Sequence, residues 1–77
     1  MRVLVTGGAG FIGSYIVEHF QGKAEVTVLD NFRSGYRKNL DGFDVKLIEG
    51  SVTDRKVVRE AVKGVDYIFH LAAMISV

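Results

Sequence analysis

This 77-residue chain contains no cysteine and no proline. Without cysteine, disulfides and thiolate metal sites are excluded. Only two histidines are present, His19 and His70, and no metal-ligand spacing joins them, so no metal site is expected. The absence of proline is unusual but points to no particular class. Long apolar runs are missing as well. None reaches the roughly 18–20 residues of a membrane-spanning helix. The opening MRVLVTGG is too short for a signal peptide's apolar region and is better read as a strand. Neither sign of charge is in excess: ten basic residues balance nine acidic ones, a net charge of +1. Neither a nucleic acid nor an acidic membrane is therefore an expected partner. The default compartment is cytoplasmic.

What is present is ordinary for one small globular domain, with 48% hydrophobic and 25% charged residues. A chain this short buries only about 60–65% of its unfolded surface, so a thin core is expected.

Glycine is distributed unevenly. Four of the nine glycines fall within residues 7–13, in the stretch VTGGAGFIGS (residues 5–14). Glycine costs about 0.5–1 kcal/mol relative to alanine inside a regular element. Such a cluster calls for a reason, and its surroundings supply one. Residues 2–6 are a β-branched apolar run, the pattern of a strand buried on both faces. After the glycines, Ile12, Gly13, Ile16, Val17 and Phe20 form one helical stripe, with Tyr15, Glu18 and His19 opposite, ending near Gly22. Residues 25–30 (EVTVLD) predict a second strand. Residues 31–42 predict a polar, basic loop with one helical turn at most. Residues 44–49 (DVKLIE) predict a third strand. Val57, Val58, Ala61 and Val62 form a second helical stripe, with Asp54 at its start and Gly64 just past its end. Residues 65–71 (VDYIFHL) predict a fourth strand. Alternating strands and helices predict an α/β fold: a parallel sheet with helices on its faces. In a doubly wound topology the strand order is 3-2-1-4.

The glycines lie between the first strand and the first helix, where the leading amides of a helix lack intrahelical partners. Such amides, with the helix dipole, form an anion site. Gly7 suits a tight turn, Gly10 a close approach of a pyrophosphate to the backbone, and Gly13 close packing of the helix on the first strand. Gly8, Gly10 and Gly13 fit G-x-G-x-x-G, while Gly7, Gly10 and Gly13 fit G-x-x-G-x-x-G. Asp30, 17 residues after Gly13, ends the second strand where a carboxylate can bind ribose hydroxyls.

With VTGGAGFIGS, LDNFRSG (residues 29–35) and FHLAA (residues 69–73), the chain resembles the extended short-chain dehydrogenase/reductase superfamily, and within it the NAD-dependent sugar-nucleotide epimerase/dehydratase family. The resemblance spans essentially the whole chain. It implies that residues 1–77 are the amino-terminal half of a Rossmann-type NAD-binding domain. It further implies that Phe11 and Ile12 offer amides to the pyrophosphate and Asp30 binds the adenosine ribose. Asn31, Ser34 and Gly35 would line the adenine-ribose side. Leu71, Ala72 and Ala73 would run under the pyrophosphate and nicotinamide ribose. Where the family often has Gly-Asp-(Ile/Val), this chain has Gly50-Ser51-Val52, which weakens the adenine contact expected there. Asp54 could substitute, but capping the second helix is its favoured reading.

Family catalysis uses a Tyr-x-x-x-Lys pair. Tyr15, Tyr36 and Tyr67 are followed four positions later by His19, Leu40 and Leu71, so no catalytic residue is assigned. A sugar nucleotide is then expected to be a partner only of a full-length parent. The alternative is a minimal stand-alone fragment, natural or engineered, that binds nucleotide weakly or only self-associates. In either case the fourth strand, with no protective lysine or proline, is expected to be an exposed edge through which copies pair.

Overall fold

The computed structural model describes residues 1–32 and 37–71. Its elements are β1 (Arg2–Thr6), α1 (Phe11–Phe20), β2 (Glu25–Asp30), a 3-10 turn (Arg37–Leu40), β3 (Val45–Glu49), α2 (Arg55–Ala61) and β4 (Tyr67–His70). The four strands are parallel, in the order β3-β2-β1-β4. This is the expected Rossmann-type arrangement. β4 is shorter than residues 65–71 because the Val65 amide still closes the turn after α2, donating to the Val62 carbonyl at 3.2 Å.

Strand alternation divides the core between the two sheet faces. On one face Val3, Val5, Val26 and Val28 pack with Ala9 and with Val17, Ile16 and Phe20 of α1. On the other, Leu4 and Leu29 pack with Val57, Val58 and Ala61 of α2. β1 is thus covered on both sides, and Val3, Leu4 and Val5 are at most 1% exposed. β4 contrasts with it. It forms an outer edge, and Tyr67 and Ile68 are 60% and 54% exposed.

The helical stripe expected of α1 fails at its start. Ile12 is exposed, whereas Gly13 and Val17 are buried. The first turn of α1 lies over the glycine loop beyond the end of β1, so no sheet is there to cover Ile12. That loop, not the strand, is what Gly13 packs against. The last residue of the α2 stripe, Val62, is likewise exposed. Among the described residues no helix is long and apolar enough to cross a membrane.

Candidate functional site

Parallel pairing brings Thr6, Asp30, Glu49 and His70 to one edge of the sheet, the carboxyl ends of its strands. Such edges, next to the first crossover, are where α/β sheets bind ligands. Here the glycine loop joins β1 to α1. Gly7 turns the chain at φ +76°, a left-handed conformation that strains L-residues. Its N–H donates to Leu29 O at 2.8 Å, and its carbonyl accepts from Gly10 N at 3.1 Å. At Gly13 an added Cβ would run into the Gly7 carbonyl and lie 2.7 Å from Gly8 Cα. At Gly8 it would lie 2.8 Å from Val28 Cγ1. Gly10 differs. A Cβ there would meet only Gly7 O, at 3.3 Å. The fold requires the bare backbone of Gly13 much more than that of Gly10, where a Cβ would ask the Gly7 carbonyl to give by only a few tenths of an ångström.

Gly10 is also the N-cap of α1, and it supplies no side-chain cap. The first helical bond is Ser14 N to Gly10 O, 2.9 Å. The amides of Phe11, Ile12 and Gly13 have no hydrogen-bond partner among the described residues, and no acidic residue stands in the first turn. These amides, at the positive end of the helix dipole, are therefore unclaimed by the described residues.

Asp30 is buried, 7% exposed, and both of its carboxylate oxygens are engaged. Oδ2 accepts from Ala9 N at 2.9 Å and Oδ1 from Phe32 N at 2.7 Å. Asp30 thus braces the glycine loop as well as ending β2. Each oxygen keeps further acceptor capacity. Asn31 is exposed beside it. Ser51 is committed locally: its hydroxyl accepts from Thr53 N at 3.1 Å and lies 2.7 Å from Thr53 Oγ1. Val52 packs into the α2-side core. Asp54 caps α2, accepting from Lys56 N at 3.0 Å and Val57 N at 3.4 Å. Leu71 N donates to Thr6 O at 3.0 Å, continuing the ladder beyond β4. His70 is an exposed residue, with Nδ1 2.7 Å from Thr6 Oγ1. Ser34, Gly35, Ala72 and Ala73 lie outside the described residues. Asn39 was not among the expected site residues, yet its Nδ2 donates to Ala9 O at 2.7 Å. The only trace of it in the sequence is a polar residue directly before Leu40, which is buried.

The glycine loop, the uncapped start of α1 and the acid ending β2 are set on the first βαβ unit of a 3-2-1-4 sheet. Residues 3–77 match the NAD dependent epimerase/dehydratase family. The chain belongs to that family. It is 41% identical over 80 residues to UDP-N-acetyl-alpha-D-glucosaminuronate decarboxylase of Bacillus cytotoxicus, covering 99% of this chain and 25% of the relative. Among solved structures, UDP-glucose 4-epimerase of Thermotoga maritima with UDP-glucose superposes with a TM-score of 0.87 at 39% identity, over 99% of this chain and 25% of that one. UDP-glucose 4-epimerase of Thermus thermophilus in complex with NAD gives 0.83 at 43% identity, over 95% of this chain and 24% of that one. The chain spans about a quarter of the length of these relatives.

Proposed function

We propose that this chain is the NAD-binding amino-terminal segment of a sugar-nucleotide epimerase or dehydratase. The observation that carries this reading is the open start of α1: three amides without partners, behind a residue with no side chain, on the same sheet edge as Asp30. The amides of Phe11 and Ile12 donate to a pyrophosphate, whose charge the helix dipole stabilises. Gly7, Gly10 and Gly13 let the backbone come close to it. Asp30 accepts from the adenosine ribose hydroxyls and repels a 2′-phosphate. Asn31, Ser34 and Gly35 line the adenosine side, with Ser51 and Val52 near the adenine. Leu71, Ala72 and Ala73 flank the nicotinamide ribose. Bound NAD would supply reversible hydride chemistry to the sugar nucleotide of a whole parent. No tyrosine here has a lysine four positions later, so the 77 residues alone do not turn over a nucleotide sugar.

Calorimetric titration of the chain tests this. NAD should bind about tenfold more tightly than NADP, about 1.4 kcal/mol. Equal affinities would remove the role given to Asp30. No binding of either would overturn the nucleotide reading.

A second reading is favoured by the exposed Tyr67 and Ile68 on an unpaired edge. Two copies pair through β4, satisfying its backbone groups and covering apolar surface. Sedimentation at tens of micromolar that finds only a folded monomer excludes that pairing.

A further inference from the structure

Ala9 stands between Gly8 and Gly10 and is fully buried. Two side chains from elsewhere in the chain hold its backbone. Asp30 Oδ2 accepts from its N–H at 2.9 Å, and Asn39 Nδ2 donates to its carbonyl at 2.7 Å. We propose that Asn39 is a positioning residue that sets the loop before α1 in its phosphate-binding shape. The inference rests on the nucleotide reading of that loop.

The Ala9 carbonyl and the Gly10 N–H belong to one rigid peptide plane and rotate together. The plane is held at both edges, by Asn39 on the Ala9 carbonyl and by Gly7 O on the Gly10 N–H at 3.1 Å. It directly precedes the unpartnered amides of Phe11, Ile12 and Gly13. Rotating this plane changes ψ of Ala9 and φ of Gly10, and with glycine at position 10 little in the local backbone resists it. Rotation breaks both bonds and leaves a buried carbonyl unsatisfied. A loop that samples rotated states must be ordered by its ligand, at a loss of affinity. The chemistry at position 39 is specific. A carbonyl oxygen only accepts, so the group facing it must donate. A carboxylate of the same shape would set oxygen against oxygen. Asn39 also follows Asn31, Ser34 and Gly35, the residues assigned to the adenosine side. Asp30 and Asn39 together tie that side to the phosphate loop.

Asn39→Ala and Asn39→Asp test the proposal, titrated with ADP-ribose and with adenosine. Asn39→Ala should weaken ADP-ribose about fivefold, as expected for one lost hydrogen bond, and Asn39→Asp should weaken it by more. Adenosine, which lacks phosphate, should change less than about twofold, since its contacts are to Asp30 and the adenosine side and not to the Ala9–Gly10 peptide plane that Asn39 holds. A residue needed only for folding would weaken both ligands in step, and that result overturns the proposal. So does unchanged ADP-ribose binding in both variants while the unmodified chain binds. Failure of the unmodified chain to bind ADP-ribose overturns the nucleotide reading and this inference with it. A second measurement needs no variant. In the unmodified chain the Asn39 carboxamide protons should exchange more slowly than those of an exposed asparagine. Exchange at the solvent rate means that the clamp does not form.

Discussion

The two helices start from similar backbone and treat their first amides in opposite ways. Each N-cap is extended, Gly10 at φ −78°, ψ 176° and Asp54 at φ −88°, ψ 108°. Neither helix carries an acidic residue in its first turn. At α2 the Asp54 carboxylate takes two of the leading amides, so most of that end is satisfied within the chain. At α1 the cap has no side chain, and three amides are left over. A helix start is open to an anion only where the chain leaves its leading amides unclaimed. Glycine at position 10 lowers the stability of α1's first turn slightly and keeps its dipole available.

The contrast can be attacked first where the loop leaves least room. Gly13→Ala puts a methyl group against the Gly7 carbonyl and Gly8 Cα, both backbone atoms that cannot turn aside. A loss of about 3 kcal/mol is expected. In a domain this small that lowers the melting temperature by more than about 12 °C. A melt by circular dichroism within a few degrees of the parent's would show that the loop is looser than described.

The second change grafts the α2 solution onto α1. Gly10→Asp should leave stability within about 1 kcal/mol of the parent, because the position is extended and a cap is gained. NAD binding should fall more than tenfold, since the new carboxylate takes the amides and repels phosphate. Undiminished binding, measured by calorimetry, would disprove the assignment of α1's start as the phosphate site. Gly10→Ala isolates the steric part: it should fold normally and weaken NAD about tenfold, near 1.4 kcal/mol. The smallest effect belongs to the other helix. Asp54→Ala should cost about 1 kcal/mol, lowering the melt by about 4–8 °C. NAD affinity should stay unchanged. A parallel loss of NAD binding would give Asp54 a place in the nucleotide site that its capping bonds do not suggest.

Elements and their order were legible because their signals are local. The alternation in EVTVLD, the stripe in α2 and the glycine cluster between strand and helix each lie within a few residues. Asp54 was readable as a cap because capping requires an acceptor within three residues of the amides it serves. Asp30 was readable as the acid ending β2. Its bond to Ala9, 21 residues away, was not.

By itself, the sequence determined the four parallel strands, the two helices, the glycine turn at Gly7 and the absence of a side chain at Gly10. It did so because hydrophobic period, turn chemistry and capping act between near neighbours. Only the tertiary structure decided which glycines are demanded by packing, that Ile12 lies past the sheet's cover, and that Asn39 reaches Ala9. These depend on where the end of one element falls against another. That placement follows from packing both faces of the sheet at once, and no single stretch of the chain records it.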